Sequence, residues 1–383
     1  MSNPWAQPPH PATNLGRHRP LAPSCGLHVS PLQLGAMSIG DKWADFGMGA
    51  MDKESSFKLL DAFYAAGGNF IDTASNYQDE TSEQFIGEWM ETRGIRTQMV
   101  IATKYSTNAK RGRTDIKQHT AWAGNSFKTM RVTVDEALEK LRTSYIDLLY
   151  VHWWDYTTPI EEVMDGLHQL VMSGKVLYLG ISDTPAWIVS SANRYARMAH
   201  KTPFVVYEGE WNVFERTFER DIIPMARHEG MALAPWNVLA GGKVRTDAEE
   251  QARIDSGEGG RAMLGGWLRS DGERAVCAVL EAVAKEVGTD SVQAVAIAYV
   301  MQKTPYVFPI IGGRKVEHLL GNVKALDIAL TDEHIRRIEA ASPFDKGSLY
   351  NVFGDGSDYG FFHKYAGHFD RWPPAQAIRP KTQ

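Results

Sequence analysis

Met99-Val100-Ile101-Ala102-Thr103-Lys104 is a short run, mostly apolar on both faces of an extended chain, that ends on a lysine. A half-exposed strand alternates apolar with polar side chains, whereas a run without that alternation belongs to a strand covered on both sides, as beneath helices. Similar short runs lie at 32–36, 69–72, 146–152, 176–181, 204–207, 231–235 and 307–311, which makes eight candidate strands. Helical patterns separate them. Residues 55–66 stop at Gly67-Gly68; Thr81 followed by Gln84 offers a capping box for a helix through Met90. Patterns over 129–141, 159–172, 185–198 and 218–228 follow, two of them opened by a proline at the first helical position. Strands alternating with helices predict a parallel sheet. Eight such units closing on themselves make a (β/α)8 TIM barrel, an α/β fold, with an open doubly wound sheet as the competing architecture.

The chain has 383 residues. At about 150 residues per domain that is two or three domains, but an eight-fold barrel of about 250 residues with insertions accommodates the length as one. We therefore expect a single barrel domain over 1–383, with 1–12 and about 370–383 as peripheral tails. Three stretches fall outside the strand–helix cycle: an N-terminal hairpin within 12–30, a long Gly- and Arg-rich loop after strand seven at 240–270, and an aromatic C-terminal tail from Pro343.

The 41 Lys+Arg and 46 Asp+Glu give a net charge of −5, which excludes a broadly basic nucleic-acid binder. No run of 18 apolar residues is present, so no membrane partner is expected. Cys25 and Cys277 make neither a disulfide framework nor a metal-ligand spacing, and the first residues are not a secretory signal, so the cytoplasm is the expected location and no metal is expected.

Asp72, Lys104 and His152 each stand at the last residue of an apolar run, and Tyr77 follows five residues after Asp72. In a barrel all four reach one mouth, where strand ends supply the chemistry. Alone, each has an ordinary alternative: a turn cap for Asp72, a solvated lysine, a structural histidine, a rim tyrosine. Together they form a proton-transfer set. Lys104 is expected to lower the pKa of the Tyr77 phenol, Asp72 to hold Lys104 charged, and His152 to orient a substrate oxygen. Such a set protonates a carbonyl oxygen while a hydride reaches its carbon. A phosphate site is suggested by Ile310-Ile311-Gly312-Gly313-Arg314-Lys315, which runs from a strand into a helix beginning near Val316. No Gly-x-Gly-x-x-Gly run follows an early strand, against a Rossmann domain.

Gly68-Asn69-Phe70-Ile71-Asp72-Thr73-Ala74-Ser75-Asn76-Tyr77, Val100–Lys104, Ile146–His152, Gly180-Ile181-Ser182, Leu239-Ala240-Gly241-Gly242 and the segment 312–322 together resemble the aldo-keto reductases, over about 15–340. Within that superfamily His152-Trp153-Trp154-Asp155 and the segment 182–187 most resemble fungal aryl-alcohol dehydrogenases and norsolorinic acid reductase-like enzymes. The resemblance implies NADP(H) as cofactor, Tyr77 as general acid, and Lys104, Asp72 and His152 as its partners. It also implies that Trp236 stacks on the nicotinamide, with Asn237 and Leu239 in the cofactor loop, and that Ser182 and Asp183 hold the carboxamide. Gly312, Arg314, His318 and Asn322 match the 2′-phosphate and adenine end, with Arg261 a further candidate; the pair Arg314 and Lys315 favours NADP over NAD. The family often has Asn at 183 and Gln at 208, where this chain has Asp183 and Glu208. An ionised Glu208 would favour the positively charged oxidised ring, unless burial keeps it protonated.

Trp43, Tyr105, Trp122, Trp153, Trp154 and Trp211 are expected at the mouth, which makes a small-molecule aromatic aldehyde or ketone the expected substrate. Two rival readings are a non-catalytic NADPH-binding subunit and a barrel lyase with Lys104 as a Schiff base.

Overall fold

In the computed structural model, which describes residues 5–46, 48–257 and 266–380, every one of the eight apolar runs overlaps a strand. An antiparallel hairpin, β1 (Arg19–Ala22) and β2 (Cys25–Val29), comes first. The parallel strands are β3 (Gln33–Gly35), β4 (Phe70–Asp72), β5 (Val100–Tyr105), β6 (Ile146–Val151), β7 (Val176–Ser182), β8 (Val206–Glu210), β9 (Ala232–Trp236) and β10 (Ile310–Ile311). They are ordered β10-β3-β4-β5-β6-β7-β8-β9. The circle closes where Leu233 of β9 bridges Val307 in parallel, the Leu233 amide donating to Tyr306 O at 2.9 Å and the Phe308 amide to Leu233 O at 2.8 Å. Closure decides for the (β/α)8 barrel over the open sheet.

The barrel has two apolar layers because strand side chains alternate in direction. Ile71, Ile101, Leu149, Val151, Leu179, Ile181 and Leu233 pack outward under the helices. Phe70, Val100, Ala102, Leu148, Tyr150, Val206, Ala232 and Ala234 fill the interior, where Leu21, Ala22 and Val29 of the hairpin join them and plug the end at which the strands begin. Following the inward parity two residues at a time toward the strand ends leads from Phe70 to Asp72, from Ala102 to Lys104, from Tyr150 to His152, from Gly180 to Ser182, from Val206 to Glu208 and from Ala234 to Trp236. The filling thus turns from apolar to polar at one mouth. Gly180 makes room for this layer, since a Cβ there would stand 2.5 Å from the Tyr150 ring.

Helix starts differ from the sequence reading in two respects. The capping box at Thr81 does not form: Thr81 is already helical (φ −68°, ψ −18°), its hydroxyl donates to Gln78 O at 2.9 Å, and Glu80 precedes it in a left-handed conformation. Pro159 and Pro185 stand at the cap position, with extended ψ of 145° and 139°, one residue before the helices Ile160–Met172 and Ala186–Met198.

Part of the loop after β9 is helical, Asp247–Ser256, opened by a capping box of Thr246 and Glu249. The C-terminal segment is tied to the start of the helix Phe218–Glu229, where Arg216 donates to Ser342 O and Arg220 to the carbonyls of Asp345 and Lys346, and Tyr350 hydrogen-bonds Asp221. Among the described residues, no helix is long and apolar enough to cross a membrane.

Candidate active site

The polar layer is organised around one buried ammonium. Lys104 Nζ donates to Asp72 Oδ1 at 2.5 Å and to Thr73 O at 3.0 Å, and lies 3.2 Å from Glu208 Oε1. Two of its N–H donors thus go to Asp72 and Thr73 O, and Glu208 is held at ion-pair distance. Lys104 sits 5.3 Å from the centre of the Tyr77 ring and 5.5 Å from that of Tyr150, which supports it from inside the barrel. Tyr77 meets the His152 ring edge-on at 6.1 Å. The structure therefore brings Asp72, Tyr77, Lys104 and His152 together.

A residue the sequence reading missed holds Tyr77 in position. Gln78, Asp79 and Glu80 all have left-handed backbones, with φ of 52°, 47° and 81°. For non-glycine residues that conformation costs about 1–2 kcal/mol each. The fully buried Gln78 side chain offsets part of it: Oε1 accepts from the amides of Lys42 (3.0 Å) and Trp43 (2.9 Å), and Nε2 donates to Met37 O and Gly49 O, both at 2.8 Å. The loop from Met37 to Gly49 is thereby fastened over the mouth and sets Trp43 edge-on to Tyr77 at 6.2 Å, with its indole N–H donating to Asp79 Oδ1. No local pattern marks Gln78, because its partners lie about 30 to 40 positions away.

The electrostatics depart from one expectation. Burial pushes the Tyr77 phenol above its ordinary value; Lys104 pulls it down, but Asp72, Glu208 and Asp183 oppose that pull and the net shift is upward. Tyr77 is thus a protonated donor, and the expected net lowering by Lys104 does not occur, because burial of the phenol outweighs it and the nearby carboxyls oppose its field. Burial disfavours the charged form of Lys104, yet Asp72 and Glu208 raise its pKa well above the usual lysine value. A lysine held as ammonium is a poor nucleophile, which weighs against the Schiff-base lyase reading. Burial and the nearby Lys104 push His152 down to about 3, so the ring is neutral. Trp153 Nε1 donates to Thr107 Oγ1, whose hydroxyl lies 3.1 Å from His152 Nδ1. With the Thr107 hydroxyl donating to Nδ1, the ring proton stands on Nε2.

The neighbouring strand ends carry the next group. Ser182 is opposite Glu208 in the β7–β8 register, and its hydroxyl donates to Asp183 Oδ2 at 3.2 Å. Asp183 Oδ1 accepts from Trp236 Nε1 at 3.2 Å, which fixes the indole, and burial pushes this carboxyl up to about 6. Asn237 (φ 55°) donates to Glu210 Oε1 and accepts from the Gly241 amide, each at 2.6 Å, shaping the loop after β9; Leu239 precedes its short 3-10 turn Ala240–Gly242.

Gly312, Arg314 and Lys315 lie between β10 and the helix Val316–Val323, which has no side-chain cap hydrogen bond at its start; Lys315 is its N-cap and His318 stands in its first turn. His318 packs beside Gly313, and Asn322 is buried on the same helix. The Arg314 side chain lies against Gly49, so the loop pinned by Gln78 connects this end to Tyr77. Arg261 lies outside the described residues.

Of the six aromatics expected at the mouth, Trp43 is against Tyr77, Trp153 is exposed beside His152, and half-buried Trp122 donates to Glu136. The other three are core residues: Trp211 is fully buried and stacked on Phe218, Trp154 joins the outer apolar layer, and Tyr105 is buried with its hydroxyl toward Asn125 O. Composition alone does not separate the two sets, because a barrel buries large rings beneath its helices as readily as at its mouth.

The model of the aldo/keto reductase family matches residues 31–343. The chain is 67% identical over 383 residues, 99% of its length and 100% of the relative's, to an aryl-alcohol dehydrogenase (NADP+) of Phanerodontia chrysosporium. It is 54% identical over 347 residues (91% and 92% of the two chains) to a putative aryl-alcohol dehydrogenase of Saccharomyces cerevisiae. With norsolorinic acid reductase B of Dothistroma septosporum it shares 47% identity over 378 residues, 96% and 95% of the two lengths.

Proposed function

The chain belongs to the aldo/keto reductase family and is an NADP-dependent oxidoreductase, and we propose that it interconverts an aromatic aldehyde or ketone and the corresponding alcohol, with Tyr77 as the general acid. The carrying observation is the buried Lys104–Asp72 pair beside a protonated phenol, flanked by a neutral imidazole.

The residues fit the dinucleotide. An uncapped helix start with Arg314, Lys315 and His318 suits a ribose phosphate. Trp236, locked by Asp183, presents a fixed flat surface, and Glu208 Oε2 is a buried polar atom without a partner. When bound, NADPH supplies the hydride. Tyr77 Oη gives its proton to the carbonyl oxygen and takes it back in alcohol oxidation. Lys104 stabilises the phenolate left behind, and Asp72 and Thr73 O hold Lys104 from the other side. The His152 Nε2–H donates to the same substrate oxygen and sets its direction. Trp43 and Trp153 offer the apolar faces for an aryl group. We place the protein in the cytoplasm as a single barrel domain, a placement supported by two buried, unpaired cysteines.

A panel of aldehydes including 3,4-dimethoxybenzaldehyde, each with NADPH and NADH and followed at the reduced-nicotinamide absorbance, tests this. Consumption of NADPH in preference to NADH is expected, and Tyr77→Phe should lower kcat by about 10²–10⁴-fold with dinucleotide affinity retained. Dinucleotide binding with no turnover of any carbonyl in the wild type would instead support the non-catalytic subunit.

A further inference from the structure

Two carboxyl groups and one ammonium share the floor of this site, all essentially inaccessible to solvent. Fully ionised, they carry a net charge of −1 in a buried volume, with Asp183 adding a second. Lys104 does not serve its two partners equally: Asp72 Oδ1 is at 2.5 Å and Glu208 Oε1 at 3.2 Å. The hydrogen bonds of Lys104 go to Asp72 and Thr73 O, and Glu208 Oε2 is buried without a hydrogen-bond partner. A buried carboxylate oxygen without a donor is costly, whereas the same oxygen bearing a proton is a donor awaiting an acceptor. The groups facing Glu208 supply no other proton. Asp72 faces it from β4 and Asp183 from just past β7; among the described residues the cation beside it is Lys104 of β5. Tyr150 of β6 has a buried, unpartnered hydroxyl whose phenol is itself pushed further from ionisation, while Tyr77 and Tyr207 are likewise held protonated.

We propose that Glu208 stores a proton in this site, as a neutral acid opposite ionised Asp72 across Lys104, and that losing it changes the charge presented to the nicotinamide. This rests on the reading given above. As a neutral acid, Glu208 offers one O–H donor from Oε2, as an amide would offer N–H, and suits a carboxamide oxygen. As a carboxylate, it favours the positively charged oxidised ring over the neutral reduced one. By linkage the oxidised dinucleotide, and not the reduced one, drives the proton off Glu208. Burial and Asp72 raise the Glu208 pKa well above the usual carboxylate range, the direction this requires.

Isothermal titration of the full chain with NADP+ and NADPH at pH 8, in two buffers of different ionisation enthalpy, counts the protons released. At that pH Asp183, pushed up to about 6, has already ionised and contributes nothing. The wild type should release a proton on binding NADP+ and none on binding NADPH; the isosteric Glu208→Gln should release none with either. Across pH 6.5 to 9 the preference for NADP+ over NADPH should rise about tenfold in the wild type and stay flat in Glu208→Gln. Infrared difference spectra of the ligand-free chain should show a protonated-carboxyl stretch that Glu208→Gln lacks. Equal proton release by both proteins, or a pH-independent preference in the wild type, overturns the inference while leaving the oxidoreductase reading intact. Failure of either dinucleotide to bind overturns that reading, and this inference with it.

Discussion

His152 shows how one residue carries both chemistry and a stability cost. In the proposed reaction, a neutral ring with its proton on Nε2 donates to the carbonyl oxygen. The same burial that pushes its pKa down to about 3 means the unfolded chain, with a histidine near its ordinary 6.5, binds the proton more tightly. The stabilising contribution is therefore whole above pH 6.5 and shrinks as pH falls toward 3. In His152→Gln, the decline of Tm between pH 6.5 and 4 should be shallower than in the wild type, as thermal unfolding at several pH values would show; parallel declines would mean that His152 is charged when folded. Asp72, Lys104 and His152 were legible as residues because each terminates an apolar run, and Tyr77 by its distance from Asp72. Their protonation states were not. The upward shift of Tyr77 arises first from its burial, with Asp72, Glu208 and Asp183 opposing the pull of Lys104, and two of those carboxyls stand more than 100 positions along the chain.

At the scale of elements, the eight strands were read from their apolar runs, since burial on both faces leaves a mark in every such segment. The turn after β4 was not. Three successive left-handed residues with no glycine among them cannot be read from local preference; the geometry is retained because Gln78 satisfies four backbone groups of a remote loop. That same turn displaced the capping box expected at Thr81. Gln78→Ala leaves those groups without partners and should cost about 1–3 kcal/mol of stability in denaturant titration. Because the pinned loop carries Trp43 and touches Arg314, KM for both aldehyde and NADPH should rise more than kcat falls. A change in kcat alone would show that the loop takes no part in binding.

The whole molecule separates the two demands by face. The hairpin closes the end where strands begin, with Leu21 and Val29 fully buried against interior residues such as Phe70 and Leu148. Leu21→Ala should lower unfolding free energy by about 2–5 kcal/mol and leave kcat/KM unchanged, since its contacts lie on the face opposite the polar layer. A loss of kcat/KM in the folded variant would contradict that separation. By itself, the sequence determined the strand–helix cycle, the run ends that send Asp72, Lys104 and His152 to one mouth, and the residue types available there, because patterning and chemical identity are local properties. Only the tertiary structure decided that Lys104 bonds Asp72 and Thr73 O with Glu208 at ion-pair distance, that Trp211 is core while Trp43 lies against Tyr77, and that Gln78 pins the loop beside it. Each of those depends on distances between groups far apart in the chain, and burial strengthens or cancels their charges in ways that no single segment records.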